Sequence, residues 1–454
     1  AMQLAKPLGK NPREIAEAIA GELRSHEEIS DVSIAGPGFI NIRLEDSVVY
    51  DAVFSEVPQQ QGKLLLEYSC PNAFKSMHVG HFYQTILGDA LARVYERLGW
   101  EVRRVTFGGD VGRHVGMSMW SIINELGGEY PGKLADIAED HRASWLAERY
   151  VAGTKAFEED EQAKEAILQC NKRVYEIHNT NDTTTDFAKI YWACRQWSYD
   201  AFNAFYESIQ VKPFDRSIGE SETFQPGLKI VQDNMGSVFA ESDGAIILPE
   251  EKSGLHTRVF VNSEGLPTYE AKDLGVIWLE TQDFTYDKRI IMTGSEQKQY
   301  MQVVFAAQLL IDPELGAKQH SLSNGTVKFG DGKKMSSRLG NVTRATDVLP
   351  AAKEAIKAKS PELQEQIALG AVKYTFLKSS IGGDIAFDLE QSVSTEGNSG
   401  PYLQYALVRA RSILRKVAAG EPQPAHPVAD LEQPERTLAD WLGRYPEVLQ
   451  QSID

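Results

Sequence analysis

The chain has 454 residues and a formal net charge of −17, with 64 acidic side chains against 47 basic ones. That length predicts several domains, and the surplus of acid argues against a broadly basic nucleic-acid-binding surface. No apolar run approaches membrane-spanning length, no signal segment is recognisable, and three widely spaced cysteines (Cys70, Cys170, Cys194) suggest neither a disulfide framework nor a Cys-x-x-Cys zinc site, so a soluble cytoplasmic protein is expected.

Residues 1–57 read as a small α+β unit. Pro12 opens a helix with Ile15, Ile19 and Leu23 at four-residue spacing, and Gly36-Pro37-Gly38 turns a hairpin. Residues 58–127 read as the first half of a nucleotide-binding sheet. A Leu-rich strand over 63–69 leads through a loop into a helix with Phe82, Ile86, Leu87, Ala90, Leu91, Val94 and Leu98 on one stripe. Gly99 stops that helix, and a second strand covers 101–107. Residues 128–265 read as an insertion. Its first part is helical, and Trp192, Trp197, Phe202, Phe205 and Tyr206 are expected to form its core rather than to stack on bases. The acids Glu158, Glu159, Asp160 and Glu161 read as a solvated face. From Phe214 to Phe260 short β-like runs follow, with turns at Ser242-Asp243-Gly244 and Ser253-Gly254. Residues 266–330 supply the second half of the sheet, with a strand over 289–293, a tight turn at Gly294 and a helix over 298–311. Helices are predicted through 331–385 and 386–454. Ala368, Val372, Phe376 and Leu377 line one face, and Leu403, Leu407, Ala410 and Leu414 another. The fold class is therefore α/β: a Rossmann-like parallel-sheet domain with insertions, a small N-terminal α+β domain and a C-terminal α-helical domain.

Two motifs carry chemistry. His78-Val79-Gly80-His81 falls at the strand-to-helix junction, where free N–H groups and the positive end of the helix favour a phosphate. Gly80 lets a flat base approach the backbone, and the imidazoles can donate to phosphate oxygens. Alone, the string also fits a helix start with two exposed histidines; a metal site lacks a third ligand at a convincing spacing. Lys334-Met335-Ser336-Ser337-Arg338 follows a strand-like run, 326–329, and the turn Gly330-Asp331-Gly332. Such a loop can bring ammonium and hydroxyl groups onto a triphosphate, or it is an ordinary basic surface loop. As an ordered pair the motifs point to ATP-dependent activation of a carboxylate.

With SCPNAFKSMHVGH (69–81), GGDVGRHVGM (108–117), LPTYEAKDL (266–274), GKKMSSRLGN (332–341) and GPYLQYALVRARSILRK (400–416), the chain resembles the class I arginyl-tRNA synthetases of bacterial type from residue 1 to residue 454. The resemblance implies an arginine–tRNA ligase that takes L-arginine, ATP with Mg²⁺, and tRNA(Arg). It also implies a monomer with no dedicated protein metal site. It makes 1–57 an incomplete domain touching the tRNA corner, 331–385 the Lys loop with stem-contact helices, and 386–454 an incomplete anticodon-binding domain. The surplus acid is then expected away from the RNA.

Tyr269 and Asp273 stand one helical turn apart and can share a face, although by itself Asp273 reads as a helix-surface acid. The resemblance places Tyr269 against the substrate guanidinium and Asp273 in a two-pronged bond with it, and makes Glu67 a second guanidinium contact. Ser69 and Asn72 match the residues at the α-amino and carboxylate end, and Gln297 the one holding the amino group. Glu270 and Glu296 are left as surface residues. For ATP the resemblance implies His78, Gly80, His81, Gly294, Val327, Phe329, Lys334, Met335, Ser336 and Ser337. His78, His81 and Lys334 act on the phosphates, Lys75 offers a substitute charge, and Val327 and Phe329 flank the adenine. Ser337 stands where the common form of the loop has its second lysine. Gln404, Tyr405, Arg409 and Arg411 are expected to meet tRNA; with Arg415 and Lys416 the basic residues of this helix also fit a solvated face. A cysteinyl-type synthetase, a small H-x-G-H nucleotidyltransferase and a non-catalytic RNA-binding paralogue are the alternatives.

Overall fold

The computed structural model describes residues 1–329, 344–356, 360–418 and 431–453. Lys334, Met335, Ser336 and Ser337 lie outside these residues, and so do the side chains of Lys328 and Phe329. The chain divides into two compact units, one of 61–96 and 100–412, the other of 1–60, 97–99 and 413–454.

The larger unit is built on five parallel strands in the order Gln319–Asn324, Lys288–Gly294, Lys63–Glu67, Glu101–Gly108, Arg216–Gly219. Leu64, Leu65 and Leu66 are all buried, as a strand covered on both faces requires. From the central strand Lys63–Glu67 the chain winds outward to one side, then returns to wind to the other. The switch point therefore lies between Lys63–Glu67 and Lys288–Gly294, and the crevice at their carboxyl ends is the place where such sheets bind ligands. The predicted first strand runs two residues too long. Ser69 and Cys70 take φ of 72° and 49°, a left-handed turn that ends the pleat and sends the chain into the crevice. The helix Val79–Arg97 follows, with Phe82, Ile86 and Leu87 buried, and Gly99 at φ 92° turns the chain after it.

The insertion packs the helices Arg113–Leu126, Arg142–Glu159, Glu161–Thr180 and Asp186–Ser208 around one apolar cluster, with Trp192 and Trp197 against it. Phe202, Phe205 and Tyr206 are buried too, so these aromatics are core, as expected. The reading of 214–260 as β-like runs holds only in part. Arg216–Gly219 joins the main sheet, and Ala240–Ser242, Ala245–Leu248 and Arg258–Val261 form a small antiparallel sheet. Between them Glu220–Asp233 is a helix. Its start is set by Glu222, which accepts from Gly219 N at 2.9 Å, and Thr223, Gly227 and Val231 bury one stripe at four-residue spacing. Pro226 in the first two turns masked that stripe.

This helix lies backbone to backbone on the helix Tyr269–Asp283. A Cβ on Gly227 would stand 2.1 Å from the Ala271 carbonyl oxygen, and one on Gly275 2.3 Å from that of Thr223. The contact positions Asp273. Gly227→Val should therefore destabilise the protein by about 1–3 kcal/mol through forced separation of the helices. An unchanged first thermal transition would show that the helices can part freely.

Within the helix Pro361–Leu377, Ala368, Val372 and Phe376 are buried as predicted, whereas Leu377 is exposed. The helix Gly400–Ala418 differs from expectation. Only Gly400 and Pro401 are buried, and Leu403, Leu407 and Leu414 are exposed, so the predicted stripe is not a buried face among the described residues.

In the smaller unit Asn11 caps the helix Pro12–Leu23, accepting from Arg13 N at 2.9 Å. The hairpin Ile29–Ala35 with Phe39–Leu44 and the helix Asp46–Ala52 follow. Asp46 binds Arg436, from the helix Gln433–Gly443, in an ion pair. Among the described residues no helix is long and apolar enough to cross a membrane.

Candidate active site

At the switch point the larger unit holds a cavity of about 710 Å³. Of the residues singled out in the sequence, Glu67, Ser69, Asn72, His78, Gly80, His81, Tyr269, Asp273, Gly294, Gln297 and Val327 line it. They come from the ends of two neighbouring strands, the left-handed turn, the start of the helix Val79–Arg97 with His78 just before it, the helix Tyr269–Asp283, the short helical turn Ser295–Gln297 and the strand Val327–Phe329.

On the histidine side the local hydrogen bonds assign the tautomers. His78 N donates to His81 Nδ1 at 3.1 Å, and Gly80 N donates to His78 Nδ1 at 3.1 Å. Each Nδ1 is an acceptor, so each neutral ring carries its proton on Nε2. The ring centres are 3.7 Å apart. Burial, then His78 and Lys75, pushes His81 down to about 3, and burial with Lys75 lowers His78, so both rings are neutral near pH 7. The result is a pair of Nε2–H donors. Gly80 is required because a Cβ there would sit 2.9 Å from the His78 ring.

The turn after the central strand is held from several sides. Ser69 Oγ accepts from Thr85 Oγ1 at 2.8 Å and pairs with the Tyr206 hydroxyl at 2.9 Å. Asn72 Oδ1 accepts from Gly109 N at 2.8 Å, and Gly109 O accepts from Ala73 N at 2.9 Å. With the Asn72 oxygen occupied, its NH₂ group is what a ligand meets, a donor suited to a carboxylate. Asp110, fully buried, ties this loop to Arg195 Nε at 2.9 Å and to Ser221 Oγ at 2.8 Å.

On the opposite side the cavity is acidic. Glu67 and Glu280, both 1 % exposed, bind one buried guanidinium: Arg289 Nη2 to Glu67 Oε2, and Arg289 Nε to Glu280 Oε2 at 2.5 Å. Burial pushes Glu67 up, against the pull of Arg289. Asp273 accepts from the Tyr300 hydroxyl, and burial pushes its carboxyl up to about 7; the Tyr300 bond opposes the rise and Glu67 adds to it. Two carboxylates thus share one arginine, and Asp273 is bound instead by a hydroxyl. Tyr269 stands over this end, 70 % exposed, with Lys272 Nζ 5.4 Å from its ring centre. Lys272 is itself bound to Glu220 at 2.5 Å.

Several sequence-based placements change. Lys75 does not line the cavity; its ammonium lies 4.7 Å from the Tyr150 ring centre, beside a separate cavity of about 210 Å³, and reaches the histidines through its field alone. Glu270 is buried, with Arg258 at 3.6 Å, and is no surface acid; Glu296 is exposed but lines the cavity. Lys334, Met335, Ser336 and Ser337 fall outside the described residues. Phe329 is described by its backbone, which pairs with Phe387. Elsewhere, Gln404 donates to Gln366 O at 2.9 Å, Arg409 Nη1 donates to the exposed Tyr405 hydroxyl at 3.2 Å, and Arg411 is exposed. Sequence reading missed Tyr300, Arg289, Glu280 and Glu220. One signal was available: Arg289 opens a run, Ile290 to Thr293, that reads as buried strand, and a charge buried there must be paired. Among the described residues no group of three or more His, Cys, Asp or Glu side chains is arranged to hold a metal.

The family described as "tRNA synthetases class I (R), catalytic domain" matches residues 44–389, "Arginyl tRNA synthetase N terminal domain" matches 1–44, and "DALR anticodon binding domain" matches 403–454. The "Arginine--tRNA ligase" of Thermobifida fusca is 30 % identical over 473 aligned positions, covering 97 % of this chain and 79 % of that protein. "Arginine--tRNA ligase, cytoplasmic" of Xenopus tropicalis is 29 % identical, covering 98 % of this chain and 69 % of its own length. The solved Thermus thermophilus arginyl-tRNA synthetase shares the fold, with a TM-score of 0.76 at 24 % identity, over 99 % of this chain and 81 % of that one. With its nucleotide-type crevice, its paired histidines and its acidic end wall, the chain belongs to the class I arginyl-tRNA synthetases.

Proposed function

We propose that the crevice joins L-arginine to ATP, forming arginyl-adenylate and releasing pyrophosphate, and then passes arginine to the 3′-terminal adenosine of tRNA(Arg). The observation that carries this reading is the acidic wall. Glu67 and Asp273 line the cavity, and behind them Arg289 is divided between Glu67 and the buried Glu280, so Asp273 is left to a cation with N–H donors, and a guanidinium supplies both. Asp273 and Glu67 read the guanidinium, and Tyr269 lies against it. Ser69, Asn72 and Gln297 hold the α-amino and carboxylate end, the Asn72 NH₂ donating to the carboxylate. That carboxylate attacks the α-phosphorus in line, so positioning and electrostatics carry the rate.

The Nε2–H groups of His78 and His81 donate to the phosphates as charge builds on the leaving pyrophosphate. Gly80, Gly294, Val327 and Phe329 shape the adenine end. Lys334, with Met335, Ser336 and Ser337, grips the departing pyrophosphate. Lys75, from outside the cavity, adds to the burial that keeps the imidazoles neutral. Magnesium would come with ATP and offset the charge of its phosphates. Gln404, Tyr405, Arg409 and Arg411 contact tRNA from the exposed helix. We further read the protein as a cytoplasmic monomer. The cysteinyl-type alternative is not favoured by the family match. Arginine-dependent exchange of pyrophosphate into ATP, with and without tRNA(Arg), tests the reading; exchange with another amino acid and not with arginine would overturn it.

A further inference from the structure

Every carboxylate of the acidic wall is anchored, but not in the same way. Glu67 and Glu280 are held by Arg289, a charge on a charge. Asp273 has no ion pair among the described residues, and its one side-chain hydrogen bond there comes from the Tyr300 hydroxyl to Oδ2. Tyr300 belongs to the helix Lys298–Ile311, and its ring packs against the apolar cluster that includes Ala271 and Leu274, neighbours of Asp273 on the other helix. The ring is therefore held at its base, and its hydroxyl has a fixed place at the cavity wall.

We propose that Tyr300 is a positioning residue for arginine recognition, its hydroxyl presetting the Asp273 carboxylate as the acceptor that a guanidinium meets. The inference rests on the arginine reading of the cavity. Three physical consequences support it. A half-buried carboxylate without a partner turns freely about its last bond, whereas a fork-shaped cation needs it in one plane. One donor at Oδ2 leaves Oδ1 without a hydrogen-bond partner among the described residues, so the oxygen offered to the ligand is chosen in advance. The same donor favours the ionised carboxylate in a crowded field: Glu67, Glu270 and Glu280 all face Asp273 and disfavour its charge, Arg289 favours it, and the Tyr269 ring lies at the same end. Arg289 is already divided between two other acids, which leaves Tyr300 as the group that fixes Asp273.

Tyr300→Phe keeps the ring and removes the hydroxyl. In pyrophosphate exchange the KM for arginine should rise about tenfold, the worth of one hydrogen bond to a charged group, with kcat and the KM for ATP within about twofold of the parent enzyme. The acid limb of kcat/KM for arginine should also move to higher pH, since a hydrogen bond that favours the carboxylate has gone. A purely structural role for the ring moves neither quantity in Phe. Tyr300→Leu, which removes ring and hydroxyl together, should reproduce the KM change. A silent Phe variant beside an impaired Leu variant would overturn the proposal and leave Tyr300 as packing. Asp273→Asn runs alongside. In that background Tyr300→Phe should add nothing, and a full additional loss there would also overturn the proposal. If Asp273→Asn itself leaves arginine binding intact, the arginine reading of the cavity fails, an outcome separate from failure of Tyr300 alone.

Discussion

Replacing Asp273 by asparagine is expected to weaken arginine binding by at least on the order of a hundredfold while leaving ATP binding nearly unchanged. The substitution preserves size and removes one negative charge and one acceptor edge. The bound guanidinium then faces an amide that offers N–H donors of its own. Hydrogen bonds to charged groups contribute about 1.5–3 kcal/mol each, a buried donor left unpaired costs more, and a fork-shaped contact loses two such bonds together. ATP should be spared because the phosphate site proposed above lies on the histidine side of the crevice. The pH dependence gives a second check. An acid whose carboxyl has been pushed up to about 7 is protonated below that pH and ionised above it. The cation needs the ionised form, so the arginine Kd of the parent enzyme should climb as pH falls below about 7, with a limiting slope of about tenfold per pH unit for this proton. Asp273→Asn should flatten that limb. Calorimetric titration with each ligand across pH 6–8 measures both, the range following from the neutral-pH titration of the group. Undiminished arginine affinity in the variant would leave Asp273 a bystander.

The second large effect is expected at His81. His81→Ala should slow arginine activation by a factor corresponding to ~2.7–4 kcal/mol, the usual cost of removing one preorganised donor aimed at developing charge. Arginine affinity should change little. The ring is held by His78 N at Nδ1 and stays neutral, so the lost group is a single Nε2–H donor and not a cation. Two further results follow from that state. The activation rate should show no titration of His81 between pH 6 and 8, because burial, with His78 and Lys75, holds that imidazole at about 3. Lys75→Met should act modestly, since its ammonium stands outside the cavity beside Tyr150. Single-turnover measurement of adenylate formation separates chemistry from binding; an unaltered rate in His81→Ala would remove the histidine from the reaction.

What the residues announced, and what they concealed, divides along a physical line. The three consecutive leucines of the central strand, the apolar stripe from Phe82 onward, the Asn11–Pro12 helix start and the glycine at 99 are local signals. Backbone sterics and one-face burial decide them within a few residues, and the structure carries them with shifts of one or two positions. The crevice followed from the same signals, because strand, glycine turn and helix in that order expose N–H groups at one place. The helix Glu220–Asp233 was concealed where Pro226 interrupted its stripe. The exposed stripe of Leu403, Leu407 and Leu414 shows the converse: spacing marks a face without saying whether anything covers it.

The charges of the site belong to the other side of that line. Asp273 and Glu270 lie three residues apart on one helix, and local sequence alone makes either a solvated acid. Which becomes a ligand depends on groups brought from far along the chain: Glu67 on the central strand, Arg289 at the head of its neighbour, and Tyr300 on the helix after it. Lys75, three residues before His78, is near in sequence yet directed to another cavity by the packing of Tyr150. Burial and long-range pairing set a carboxylate's charge and orientation, and neither is written in the residues beside it. Sequence alone therefore determined the parallel-sheet scaffold, the phosphate-facing turn and the family. The tertiary structure decided which acids line the crevice and how they are held, because only folding brings together the groups that desolvate, pair and orient them.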